Sequence, residues 1–254
     1  MPGWRTAVAD RLPTEPVTVT PPRRVSTPTI RQEWKDVGFV HWPIEPAAVG
    51  RLLPRRVRPD VLDGTTYVGL IGLRVRTSLG GVLPVPWLGT FDETHLRLYS
   101  VDQSGRRGGV FLTLNADRLI TAAFARSVLR IPYTWSPSTI ARRDDVMTYA
   151  TTRRWPNRPT TLRFAVRIGE PCPDPTPLER FVTARWSMHS SWLGQTMRLD
   201  ATHPPWPLFR AELVDLELPR SFFDEVGLER PDRAPASVLW SPGVRSYLGW
   251  PVPV

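Results

Sequence analysis

Strand-length segments bounded by turn residues recur along this chain at the spacing of β-hairpins, and nothing in it constrains the fold more. "TTYVGLIGLRVRTS" (65–78) alternates: Tyr67, Gly69, Ile71, Leu73 and Val75 share one face, Arg74 and Arg76 the other, and Asp63-Gly64 turns the chain just before it. "THLRLYSVD" and "GGVFLTLNA" read as a hairpin across a glycine-rich turn at 104–109. "TIARRDDVMTYATTRR" and "TTLRFAVRIG" alternate in the same way, with Asp144-Asp145 as a turn. "GQTMRLDA" and "PLFRAELVDLEL" flank "THPPWP", and "SVLWSPGVRSYLGW" supplies a final strand or two. Helical signals are few and short. "IEPAAVGRLLP" carries Pro46 in its first turn and Pro54 as its stop. Others cover about 13 residues from Arg118, then "LERFVTARW" and "SFFDEVGL"; "LPVPWLG" (83–89) and "EPCPDPTP" (170–177) read as loops. Alternating β-α units are missing, which argues against a doubly wound parallel sheet. The expected fold is a strand-rich α+β domain with three or four short helices on an antiparallel sheet or barrel-like core.

The chain's 254 residues suit one large domain or two small ones, and no linker forces a split. Residues 1–29 are rich in proline and lack apolar periodicity, so they read as a tail or surface arm, with a single domain over 30–254. No apolar run approaches the roughly 18 residues that span a bilayer. The one cysteine, Cys172, cannot form an internal disulfide, and no secretory leader is evident, so the expected setting is a reducing cytoplasm. The net charge is +9, yet of 33 basic residues only Lys35 is lysine. The arginines are scattered rather than gathered on one stripe, and no finger, helix-turn-helix or RNP-type motif is present. Specific nucleic-acid binding is therefore not expected, only weak salt-sensitive contact.

The familiar catalytic signatures are absent. There is no GxGxxG, no GxxxxGK[ST], no GxSxG, no HExxH and no paired-cysteine spacing, so neither metal nor cofactor is expected. Cys172 lies between prolines and reads as a spectator thiol. What stands out is a set of polar residues among apolar ones near mid-chain. Glu93 lies in "GTFDETHLRLY"; Asn115 and Asp117 end the next strand; Arg126 and Tyr133 lie on and just past the following helix. If hairpin and helix meet, these face one cavity. Each has a plainer reading too: Asp117 as a helix cap, Arg126 as a structural partner of Glu93, Tyr133 as a core aromatic. His41-Trp42 and His203, in "HPPWP", read either as loop packing or as ligand contacts.

Five segments, "FVHWPIEPAAVGRLLP", "GTFDETHLRLY", "GGVFLTLNADRLITAAFARSVLRIPY", "HPPWPL" and "SPGVRSYLGW", stand in the order seen in the YqjF-like family of uncharacterised bacterial proteins, and the resemblance covers roughly residues 31–250. That family looks like a distant branch of the acetoacetate decarboxylase-like superfamily. The resemblance implies a mostly antiparallel, cone- or barrel-like sheet around a closed, largely apolar internal cavity, often in a homo-oligomer. In the decarboxylases a strand glutamate lines the cavity, and a helix ending in Gly-Arg-Glu leads to Gly-Phe-Pro-Lys-Lys, whose first lysine forms a Schiff base with the keto acid. Here Glu93 matches the glutamate, Arg126 the arginine and Pro132 the proline. Ser127 replaces the second glutamate, and Tyr133 and Thr134 stand in place of the lysines. An imine needs a neutral amine, and Lys35 lies far away in sequence.

Two readings stay open. In one, the cavity is an active site for a small carbonyl or keto-acid compound, with Tyr133 as acid or oxyanion donor, Glu93 as base, and Arg126 holding an acidic group or tuning Glu93; Asn115, His41, Trp42 and His203 contact the ligand. In the other, it is a non-catalytic pocket for a small apolar or aromatic ligand. In both the partner is a small molecule, not a specific nucleic acid and not a membrane.

Overall fold

The structure, a computed structural model, describes residues 13–25, 28, 30–79, 83–84, 89–116, 133–153 and 160–254. Fifteen strands run among them: β1 (Ile30–Ile44), β2 (Val57–Pro59), β3 (Thr66–Leu79), β4 (Leu83–Pro84), β5 (Thr90–Asp102), β6 (Arg107–Ala116), β7 (Tyr133–Trp135) and β8 (Ser138–Arg143), then β9 (Val146–Arg153), β10 (Thr160–Pro171), β11 (Ser187–Trp192), β12 (Gln195–Thr202), β13 (Phe209–Glu217), β14 (Ser237–Leu248) and β15 (Val252–Pro253). Their order is β15-β12-β11-β6-β5-β3-β1-β14-β13-β10-β9-β8. Among the described residues antiparallel pairing dominates, and β6 alone makes parallel joins, to β7 and β11. A further pairing, Ala201 and Thr202 of β12 with Leu248 and Tyr247 of β14, closes β1, β3, β5, β6, β11, β12 and β14 into a ring. The strands β13, β10, β9 and β8 continue from β14 and fold back over the ring.

The short helices of the described residues are Pro46–Val49, Pro177–Thr183 and Arg220–Asp224. Pro177–Thr183 opens on a capping box: Glu179 N–H donates to the Thr176 hydroxyl (3.2 Å), and Thr176 N–H to the Glu179 carboxylate (2.6 Å). The expected helix over "LERFVTARW" stops at Thr183, short of Trp186, because Ala184 leaves helical geometry and Arg185 turns to pair with Asp60. The hairpin turn is tighter than its glycines suggest, since β6 begins at Arg107. Leu83–Pro84 forms a short strand against β3 within the stretch read as a loop. The helix expected from Arg118 lies outside the described residues.

Both faces of the central strands are covered. Even-numbered residues of β5, such as Leu96 and Leu98, join Val40, Trp42, Val68 and Leu70 in a core closed by Met147, Tyr149 and Phe164 of the returning strands. Tyr149 lies flat over two backbones. A Cβ at Gly72 would come within 2.4 Å of its ring and one at Gly38 within 2.7 Å, while Phe164 stacks on it at 4.6 Å. Burying such aromatics contributes about 1.5–3 kcal/mol each. The other face carries Phe39, Ile71, Leu73, Val75 and Phe91 and is covered by Leu208 and Trp206 near one end and by the helix Pro177–Thr183, through Phe181, near the other. Residues 13–25 lie against this second end: Glu15 N–H donates to Gly105 O (2.9 Å), and the Trp186 indole N–H to Thr18 O (3.1 Å).

Candidate functional site

Strand alternation aims Glu93, His95, Arg97 and Tyr99 of β5 at the face carrying Phe39 and Ile71. Glu93 is 4% exposed and His95 6%. They are joined by a 2.8 Å hydrogen bond between Glu93 Oε1 and His95 Nδ1. With the carboxylate accepting, Nδ1 carries the proton, and His95 Nε2 is buried with no partner among the described residues. Burial pushes His95 below its ordinary pKa; Glu93 offsets this only in part, and Arg97 adds to it. The imidazole is therefore neutral at pH 7 and holds a lone pair at Nε2. The Phe111 ring meets it edge-on at 4.7 Å.

Arg97 comes next along the strand and is only half-buried. Its Nε–H donates to the Tyr99 hydroxyl (3.2 Å) and its Nη2–H to the Val182 carbonyl (2.7 Å), while the guanidinium centre lies 5.9 Å from the Phe39 ring and 5.3 Å from the Tyr99 ring. His41 shares this face. It is fully buried, its ring stands 5.9 Å from Tyr99, and neither ring nitrogen has a partner among the described residues. Burial first, then the charges of Arg97 and Arg185, hold its pKa well below the usual histidine value. His203 borders the same region, ringed by Trp186 (4.5 Å), Trp206 (4.9 Å) and Trp34 (5.6 Å). Its Nδ1–H donates to Pro204 O at 2.7 Å. Burial lowers its pKa to about 4 despite that bond.

The structure thus places Glu93 and His41 on one face, four strand positions apart in register, sets His203 against Trp206, which packs on Phe39 of that face, and turns Trp42 and Asn115 away from it. Trp42 enters the opposite core beside Val40 and Leu70. Asn115 pairs with Thr94, one residue off Glu93, and spends its amide on structure. It donates to Thr94 O (3.3 Å) and accepts from Arg153 (3.2 Å) and Ser136 (3.4 Å). The backbone of Tyr133 lies in register with Leu114, which itself pairs with His95. Arg126 lies outside the described residues. Sequence reasoning passed over His95 and Arg97. Their signal was present as Glu-x-His-x-Arg-x-Tyr at period two, in a strand whose intervening Thr94, Leu96 and Leu98 are also buried.

A model of the DUF2071 family, described as an uncharacterized conserved protein, matches residues 31–245. The chain belongs to the DUF2071 family. A relative, the uncharacterized protein YqjF of Bacillus subtilis, is 26% identical over 226 residues, covering 88% of this chain and 91% of its own. Among solved structures, the enduracididine biosynthesis enzyme MppR, complexed with the condensation product of pyruvate and imidazole 4-carboxaldehyde, superposes with a TM-score of 0.60 at 15% identity, over 91% of this chain and 92% of that one. Acetoacetate decarboxylase from Legionella pneumophila gives 0.60 at 13% identity, over 92% and 91%. The DUF2071 chain therefore has the acetoacetate decarboxylase-like fold.

The chain's one lysine, Lys35, sits at a bulge in β1, 42% exposed at its side chain and 3.7 Å from Glu33. No lysine faces Glu93, so an imine has no residue to form on there. Burial raises the Cys172 thiol, with the Glu179 carboxylate adding to it, which leaves it a poor nucleophile. No cluster of three or more histidine, cysteine, aspartate or glutamate residues suited to a metal occurs among the described residues.

Ser100, His189 and Asp102 of this DUF2071 chain form a Ser-His-Asp row: Ser100 Oγ is 2.9 Å from His189 Nδ1, and His189 Nε2 is 3.6 Å from Asp102. All three are at most 2% exposed, so the row ties β5 to β11 rather than meeting a substrate. Gly108 between them lets it form, since a Cβ there would stand 2.7 Å from the His189 ring. Burial raises the Asp102 carboxyl, but His189, the Arg106 backbone N–H (3.0 Å) and Arg198 (3.2 Å) outweigh it and hold it at about 2.

Acid should act in two steps. His203 binds its proton in the unfolded chain near 6.5 and in the fold near 4, so its contribution is present above the upper value and lost as pH falls towards the lower. Asp102 is depressed from about 3.9 to about 2, so its contribution is lost between those values. Urea titrations at pH 7, 5, 4 and 2 should show stability falling across both windows. Asp102→Asn should be less stable at pH 7 and lose the lower step; an unchanged acid limb would refute the assignment.

Proposed function

We propose that this DUF2071 protein acts on small carbonyl compounds, keto acids among them, by proton transfer at the carbon next to the carbonyl, with no lysine imine. The observation that carries the reading is the buried Glu93–His95 pair, whose imidazole is neutral and unpartnered at Nε2 among the described residues. The carboxylate holds Nδ1–H and steadies the imidazolium that forms, while Nε2 takes the proton. Glu93, expected from sequence to be the base itself, then works through His95. Tyr133, in the place of the decarboxylase lysine, donates to the oxygen of the developing enolate. Shared fold with acetoacetate decarboxylase, and with an enzyme solved around a pyruvate condensation product, supports carbonyl chemistry in this scaffold.

The test is deuterium incorporation from D2O into pyruvate, phenylpyruvate and butanone, followed by proton NMR. Wild-type protein should accelerate exchange of at least one, with an acid limb below pH 6.5 because the base is a depressed histidine. Tyr133→Phe and His95→Gln should each slow it by about a hundredfold or more while the circular dichroism spectrum stays unchanged. Full activity in Tyr133→Phe, or no acceleration by wild type, sinks the reading.

The tryptophans around His203 favour a second reading, a non-catalytic pocket for a small aromatic ligand. A thermal shift with an aromatic panel, without exchange, would select it.

A further inference from the structure

We propose that Arg97, with His41 beside it, forms an anion subsite that receives the carboxylate of a small organic acid. Strand register sets His41 of β1, Gly69 of β3 and Arg97 of β5 side by side on one face. Gly69 contributes no side chain to that row. A Cβ there would stand 2.9 Å from the His41 ring and 3.1 Å from the Tyr99 hydroxyl, so glycine lets these two polar side chains close over the strand and meet beside Arg97. Arg97 reaches the same spot, since its Nε–H donates to the Tyr99 hydroxyl at 3.2 Å.

Charge pairing makes Arg97 the exception among the arginines around it. Arg185 and Arg107 share Asp60, Arg198 has Asp102 and Asp200, and Arg153 has Glu225. Arg97 has no carboxylate among the described residues; its protein acceptors are a carbonyl and a phenol, and Nη1 has none there. Arg97 stays partly exposed while His95 and Tyr99 beside it are buried, and a cation open on one side and without a carboxylate fits a site whose counter-charge arrives with a ligand. His41 supplies the independent observation: both its nitrogens are buried without a partner among the described residues, which costs free energy until one is provided.

A carboxylate matches better than a phosphate. One free guanidinium edge and one imidazole N–H make a two-point contact for a single negative charge. The other cation nearby, Arg185, lies 4.8 Å from the Tyr99 ring and is already committed to Asp60. The Phe39 and Tyr99 rings flank the Arg97 guanidinium at 5.9 and 5.3 Å, so a flat, largely apolar body suits the rest of the ligand.

The subsite deepens the proposed function and rests on it for the keto-acid class, but its test does not depend on turnover. Calorimetric titration of the full chain would use benzoylformate, which has no exchangeable α-proton, together with pyruvate and the neutral acetophenone. Wild type should bind at least one of the acids, and benzoylformate at least about tenfold more tightly than acetophenone. Arg97→Gln should lose about tenfold for the acids and leave acetophenone unchanged, with Arg97→Lys between the two. His41→Phe, which keeps a ring of similar shape, should weaken the acids severalfold and tests the same contact if Arg97→Gln does not fold. Acid affinity unchanged in either folded variant, or a wild type that binds neither acid or prefers the ketone, overturns the subsite. Loss of the exchange activity alone leaves it standing, and failed acid binding leaves exchange of butanone to be judged separately.

Discussion

Asp60→Asn should cost this protein about 3–5 kcal/mol of unfolding free energy, read by urea denaturation at neutral pH. The side chain is 1% exposed and takes hydrogen bonds from two guanidinium groups, Arg107 and Arg185, the latter at 2.5 Å. Arg185 has little else to rely on. Its own side chain is 4% exposed, its Nε and Nη2 are buried without partners among the described residues, and its guanidinium lies against Phe181 (4.3 Å) and Tyr99 (4.8 Å). Asparagine keeps the shape but removes the negative charge, leaving two cations facing each other out of water. Breaking one side of a buried ion pair is expensive because the partner's desolvation is no longer offset. The internal comparison is Arg167→Gln, whose partners Glu212 and Asp145 are exposed; there the loss should stay within about 1 kcal/mol. If both variants cost the same, the buried-charge account of Asp60 fails.

Gly243→Ala should cost at least about 3 kcal/mol, and for a different reason. Gly243 lies opposite Lys35, where β1 bulges, and has φ +118, a conformation that L side chains rarely adopt. A Cβ there would lie 1.8 Å from the Trp34 carbonyl oxygen and 2.8 Å from Lys35 Cα, both backbone, so no rotamer change relieves the clash. The β1–β14 pairing would have to separate around it, and β1 is the strand that presents Phe39 and His41. Gly50→Ala is the matched contrast: its φ is −53, and an added Cβ meets nothing within 4 Å. That substitution should be neutral or stabilise by up to about 1 kcal/mol. Thermal melts of the two variants side by side decide the matter, and a Gly243→Ala melt close to wild type would remove the steric argument.

How far the fold could be read from sequence varied from element to element, for local reasons. The alternation in β3 and the Asp144-Asp145 turn between β8 and β9 are nearest-neighbour properties; Asp144 takes φ 55, which aspartate tolerates better than most residues. The strand β11 escaped because its buried positions are polar. Ser187 and His189 are held by Asp200 and Ser100, from other strands, so no apolar alternation marks them. The same limit applied at the site. His41 and Trp42 are adjacent in the chain and read alike, as loop packing or as ligand contacts, but once β1 is extended its neighbours must face opposite ways. Asn115 was separated from Glu93 by a single position of register between β5 and β6, which no local pattern reports.

By itself, the sequence determined that this chain would be strand-rich and that it carries one lysine, Lys35, with none at Tyr133 or Thr134. Strand propensity and period-two burial are set by residues within a few positions of one another, and a chain with one lysine cannot place a second. Tertiary structure alone decided that the strands close through β12 and β14, that Glu93 lies bonded to His95, and that Arg97 is left without a carboxylate among the described residues while Arg185 finds Asp60 from 125 residues away. Charge environment depends on which distant groups reach a site and how much water they exclude, and that information exists only once the chain has folded.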